Sequence, residues 1–135
     1  MYTTEGLKFI QDVKNGIVPP PAPYYIGLFS GNYTPSLSDV AATFSSLASE
    51  AVSYSETTRP QWLPVASIAG ESTNTTNKAT FTCNANNTHV YGAFLVTSPT
   101  KGGTGGKLIL AKRFPSMRIY DNLSVIHITI EELLS

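Results

Sequence analysis

The side chains able to do chemistry in this chain are few and scattered. Cys83 is the single cysteine, and His89 and His127 are the two histidines. A thiol nucleophile needs a base beside it and a third group to orient that base. Cys83 and His89 could supply the first two, but no acid stands near them in the sequence. The alternating run Lys78-Ala79-Thr80-Phe81-Thr82-Cys83 instead puts the thiol in a strand, where a buried core cysteine is expected. A lone cysteine forms no intramolecular bridge. Zinc requires three or four placed ligands, and no His, Cys and Asp cluster offers them, so no metal and no cofactor are expected. Glycoside hydrolysis requires a facing pair of carboxylates. Glu50, Glu56, Glu71 and Asp121 are spread through apparent loops with no motif around them, and solvated acids are the simpler expectation. Gly102-Gly103-Thr104-Gly105-Gly106-Lys107 has the glycines of a phosphate loop. It lacks the Ser or Thr after the lysine, and a strand follows it where a helix N-terminus would have to hold the phosphate. A flexible hairpin tip is expected, and the chain as a whole does not read as an enzyme.

The elements around these residues are mostly strands. Val90 to Val96 and Lys107 to Phe114 flank the glycine loop as a hairpin rich in strand-forming, apolar side chains. Tyr24-Tyr25-Ile26-Gly27-Leu28-Phe29 reads as a strand closed by the turn signal Ser30-Gly31-Asn32. Residues 54–62 read as an extended segment broken at Pro60, and 70–78 as a polar loop. Further strands are expected near 79–83 and 123–130, with turns at Pro115-Ser116 and at Tyr120-Asp121-Asn122. In the last strand His127 faces away from Ile126 and Ile128, which places it at a rim. Residues 36–52 fit a helix, with Ser36 or Ser38 as cap, Asp39 in the first turn, and Val40, Phe44 and Leu47 at helical spacing. Short antiparallel strands at regular spacing predict a mainly β domain, a sandwich or jelly-roll-like form, over 24–135.

Residues 1–23 stand apart. Leu7, Phe9, Ile10 and Val13 give a short amphipathic helix, capped by Thr3 or Thr4 and ended by Asn15-Gly16. Pro19-Pro20-Pro21-Ala22-Pro23 then forms a stiff spacer. Such an arm either docks on a partner through its apolar side chains or folds back over a sheet edge. If it docks on a partner, the domain folds without residues 1–16.

Composition limits the partners. Charged residues are 13% of the chain, against about 25% in ordinary globular proteins. Nine basic and nine acidic residues cancel, so the long-range field of a nucleic-acid binder is missing. A chain near zero net charge lacks self-repulsion and tends to associate. No charged leader followed by an apolar stretch begins the chain, and no apolar run approaches the ~18 residues of a membrane span; a soluble product made in the cytoplasm is expected. Asn32-Tyr33-Thr34, Asn74-Thr75-Thr76, Asn86-Asn87-Thr88 and Asn122-Leu123-Ser124 match the glycosylation triplet, expected by chance in so Asn- and Thr-rich a sequence.

The order of several segments carries a resemblance. Tyr24-Tyr25-Ile26-Gly27-Leu28-Phe29-Ser30, then Ser38-Asp39-Val40, Tyr54 with Arg59 and Trp62, Ala79-Thr80-Phe81-Thr82, Tyr91-Gly92-Ala93-Phe94-Leu95-Val96 and Leu108-Ile109-Leu110-Ala111 together resemble the pattern of small structural virion proteins of tailed bacteriophages. The likeness spans about residues 24–130. It implies a capsid decoration (cement) protein made in the host cytoplasm and resident in the virion, with a neck, tail or fibre-associated role beside it. The implied partners are a major capsid or tail protein and copies of the chain itself, in a closed homo-oligomer with a trimer among its forms. A separate expectation comes from the aromatics: if Trp62 and Tyr120 lie on the surface, they could stack on sugar rings as in a carbohydrate-binding module. A buried Trp62 would remove the main support for that expectation.

Overall fold

A computed structural model describes residues 1–20 and 23–133. In chain order the elements are α1 (Thr4–Lys14), β1 (Tyr24–Phe29), α2 (Ala41–Leu47), β2 (Glu50–Ala51), β3 (Gln61–Trp62), β4 (Glu71–Thr73), β5 (Ala79–Thr82), β6 (Thr88–Val96), β7 (Leu108–Tyr120), β8 (Val125–Ile128) and β9 (Glu131–Leu133). The fold is mainly β and antiparallel, as the alternation of the sequence predicts. A five-stranded sheet curls into a half-barrel in the order β2-β1-β6-β7, and β3 pairs β1 at the end opposite β2. Two short ladders, β5 with β8 and β4 with β9, make up the rest.

The large sheet is buried on both faces, so its strands read as continuous apolar runs where a one-sided sheet would alternate. On one face Ile26, Leu28, Val90, Ala93, Leu95 and Ile109 join Phe81, Ile126 and Ile128 from the β5–β8 ladder in the main core. On the other, Phe29, Phe94, Val96 and Leu108 pack under α2 through Ala41, Phe44 and Ala48. Phe44 meets the Phe94 ring at 5.0 Å and the Phe29 ring at 5.8 Å between centroids, within the range where edge-to-face pairs add to simple burial.

Three expectations about the elements are corrected. The helix predicted over 36–52 is confined to Ala41–Leu47, and neither Ser36 nor Ser38 caps it. Asp39 is drawn instead into a turn, accepting from the Ser36 amide at 2.7 Å and the Tyr33 hydroxyl at 2.6 Å. Glu50 and Ala51 pair with Phe29 and Leu28 as strand. The turn predicted at Pro115-Ser116 lies inside β7, in a wide bulge where Tyr91 alone stands opposite Phe114, Pro115, Ser116 and Met117 before pairing resumes at Val90 with Arg118. A bulge tolerates a proline because the residue need not donate to the ladder. Part of the polar 70–78 loop is β4, paired with β9.

Of the two arrangements open to the N-terminal arm, the structure shows the fold back over a sheet edge. The Thr3 amide donates to the Ile109 carbonyl at 3.1 Å, the Ala111 amide to the Met1 carbonyl at 3.0 Å, and Tyr2 bridges to Leu110. Thr3 caps α1 by accepting from the Gly6 amide, and its hydroxyl also donates to the Leu108 carbonyl. Gly6 is required by the contact, since a Cβ there would lie 2.2 Å from the Ile109 carbonyl oxygen.

Candidate interaction surface

The predicted docking residues of the arm are divided. Phe9 and Ile10 pack against the main core and Val13 is half-buried, while Leu7 stays exposed. The acid of the arm is the more consequential residue: one oxygen of Glu5 accepts from the Ala41 amide at the start of α2 and from the Leu108 amide at the start of β7, both at 2.9 Å. A single carboxylate thus ties the arm, α2 and the central hairpin together. The apolar pattern did not show it, because its partners lie 36 and 103 residues away.

The expected surface aromatics also part company. Trp62 is buried at 6% exposure, edge-on to Tyr24, with its indole Nε1–H donating to the Ile130 carbonyl at 3.2 Å. The prediction that it lies on the surface is therefore corrected. Its strand β3 covers the edge of β1, so the ring is turned into the core. Tyr120 is half-buried against the same core, at the end of β7. With Trp62 buried, a sugar-stacking surface built on the two rings loses its main support.

Cys83 is buried, and burial pushes its thiol above the ordinary value, with Glu56 adding to the effect; that is the reverse of what activates a thiolate. His89 Nε2 lies 3.2 Å from Asn87 Oδ1 on the surface, and His127 Nδ1 lies 3.4 Å from Thr80 Oγ1 across the β5–β8 ladder. Among the described residues no three of His, Cys, Asp and Glu gather as metal ligands. No helix among them is long and apolar enough to cross a membrane.

The four acids expected in solvent are all engaged. Glu50 is buried in a bidentate pair with Arg59, Nη2 to Oε1 at 2.6 Å and Nε to Oε2 at 2.9 Å, with side chains 2% and 1% exposed. Two further guanidinium hydrogens reach the Ser98 carbonyl at 3.0 Å and the Gly103 carbonyl at 3.2 Å, and the group sits 5.3 Å from the Phe94 ring centre. Burial of such a pair is sustained only when its other donors are satisfied as well. Glu56 accepts from both the amide and the hydroxyl of Thr82, at 2.8 and 3.0 Å. The glycine loop is accordingly no free tip. Arg59 and Ser45 hold the Gly103 carbonyl, and Lys101 donates to the carbonyls of Tyr54 and Glu56 at 2.8 Å each. Glu71 stands beside Glu131, and their mutual hydrogen bond and like charge hold its carboxyl above the ordinary value. Asp121 accepts from the Asn87 amide.

One of the exposed apolar stretches is the outer end of β7 and the turn into β8. Met117, Ile119, Leu123 and Val125 are exposed there at 37, 54, 75 and 49%, in company with the exposed Lys112, Arg118 and His127. Apolar side chains beside exposed Lys112 and Arg118 are the kind of composition that contact surfaces use. No protein-family model matches the chain, and no curated protein matches it either.

Proposed function

We propose that this chain is a non-enzymatic structural component of a tailed-phage virion, a capsid decoration protein that stabilises the junctions between capsid subunits. The observation that supports this reading best is the exposure of Met117, Ile119, Leu123 and Val125 within nine residues of chain at the outer end of β7 and the turn into β8. An assembled shell that binds such a surface is stabilised by mass action, because the bound subunit favours the intact particle over the dissociated one. Copies of the chain would act together as a closed homo-oligomer, a trimer among its forms, with the major capsid protein as scaffold.

The test is to assemble particles with and without the protein and to follow heat-induced release of DNA. Retention of a fixed copy number on capsids, with release shifted to higher temperature, supports the reading. Retention on isolated tails or necks alone moves the role to those structures. Particles that neither retain the protein nor change their release temperature overturn it.

A further inference from the structure

The turn at 121–124 brings β8 back beside β7, yet the two strands do not pair. β7 is laddered to β6 and β8 to β5. The N-terminal residues cover β7 only as far as Ala111, through the Met1 carbonyl. Among the described residues, nothing pairs with the far edge of β7 from Lys112 to Tyr120. β7 and β8 instead form the walls of an open groove of about 680 Å³ that reaches down to Ile126 and Ile128 of the core. An unpaired strand edge presents a row of amides and carbonyls ready for another strand. From Phe114 to Tyr120 the edge runs roughly 20 Å at about 3.3 Å per residue, room for a strand of some five or six residues, with one amide missing from the row at Pro115 in the bulge.

Charge decides what strand it would take. No carboxylate lines the groove, whereas Arg118 and His127 do. Lys112, Arg113 and Arg118 have no acid within ion-pair distance among the described residues; the salt bridges there are Lys8–Asp12, Arg59–Glu50 and Lys107–Glu5. Arg113 rests over the Tyr91 ring at 5.1 Å. The nearest acid in sequence, Asp121, is occupied with the Asn87 amide. An identical edge from a second copy would set arginine and lysine against arginine and lysine, which is how natural edge strands prevent self-pairing. The same cations attract a strand that carries acids.

We propose that the β7–β8 groove captures an extended, carboxylate-bearing segment of a partner protein as an added strand. Its backbone completes the free edge of β7, and its acidic side chains, on the face that Arg118 shares with Tyr120, meet Arg118 and His127. This is the strand-addition mode of peptide recognition, in which the main chain gives affinity and alternate side chains give specificity. The assignment goes beyond the virion reading and holds on any scaffold.

The test uses the full chain and two labelled seven-residue peptides, one alternating glutamate with valine and threonine, the other with lysine in place of glutamate. Fluorescence anisotropy should show the acidic peptide binding about ten-fold tighter or better. Hydrogen exchange should slow over 112–120 when it binds. Arg118→Glu changes an exposed side chain, so it should leave the melting temperature unchanged while reversing the order of the two peptides. Equal binding of both peptides, no binding, protection confined elsewhere, or an Arg118→Glu variant with unchanged preference each overturns the proposal. Self-association of the chain that the acidic peptide competes away would put a second copy in the groove and overturn it as well.

Discussion

Phe94 fills with its ring the space that a side chain on Gly27, its cross-strand partner, would need: a Cβ on Gly27 would lie 2.2 Å from the Phe94 Cζ. Two residues along the same ladder the relationship is reversed, with Phe29 over Gly92 and a Cβ on Gly92 only 2.3 Å from the Phe29 Cζ. Each aromatic ring covers the glycine opposite it, a device that restores packing where a strand glycine would otherwise leave a gap. The two rings then form the floor on which Phe44 of α2 sits.

Gly27→Ala should therefore destabilise the fold by about 1–3 kcal/mol or more, as overpacking of a closed core does, even though alanine is the better residue for strand backbone. Urea unfolding of the variant checks this, and a midpoint equal to that of the parent would mean that the Phe94 ring moves aside freely.

Removing one partner of the Arg59–Glu50 pair strands a buried charge. Arg59→Met alone and Glu50→Leu alone are each expected to cost on the order of 3–5 kcal/mol, whereas the double variant that carries both should recover much of that loss. A thermal-unfolding double-mutant cycle measures the coupling. Simple additivity of the two single losses would show that the pair does not act as a unit.

Tyr54 gives a pH-dependent prediction. Burial raises its phenol well above the ordinary value of 10.0, and burial likewise raises the Cys83 thiol above 9.0. The folded chain holds both protons more tightly than the unfolded chain, so their contribution is intact below about pH 9. It is lost as the pH rises past the unfolded values toward the folded ones. The buried Tyr54 hydroxyl has no hydrogen-bond partner among the described residues, so Tyr54→Phe should be neutral or stabilising by about 1 kcal/mol at pH 7. The variant should also lose less stability between pH 9 and 11. Denaturant midpoints across that range decide the point, and a parallel alkaline decline in both proteins would exonerate Tyr54.

The arm is expected to be part of the folding unit. Thr3→Val removes a buried hydroxyl that bonds in two directions and should cost about 1–3 kcal/mol. Deleting residues 1–16 should cost far more, because it exposes the Leu108 and Ala41 amides as well as the edge of β7. Circular dichroism melting compares the two, and a truncated chain that melts with the parent would return the arm to the role of a detachable element.

Legibility followed burial and sequence distance. β1 was readable to both of its ends because Tyr24 to Phe29 is an unbroken apolar run bounded by Pro23 and Ser30-Gly31, and the β6–β7 hairpin was readable for the same reason. Glu50 and Ala51 were not, because a two-residue strand takes its conformation from Leu28 and Phe29 opposite and not from its own propensity. Pro115 signalled a turn because local rules cannot see that Tyr91 opens a bulge for it. Trp62 and the Glu50–Arg59 pair were misplaced or invisible for one reason: the groups that bury them, Ile130, Ser98 and Gly103, come from remote segments. The open edge at Arg118 left no trace either, since a strand that lacks a neighbour looks in sequence like one that has it.

The bonds from Thr3 and Glu5 to Leu108 and Ile109 span more than a hundred residues. On a ribosome adding roughly 5–20 residues per second, α1 emerges and then waits about 5–20 s for the strand it must sit on. Eleven residues make a marginal helix in water, so the segment spends that interval unfolded. Docking of α1 therefore waits for a strand more than a hundred residues further along the chain, a non-local contact of the kind whose loop closure slows folding.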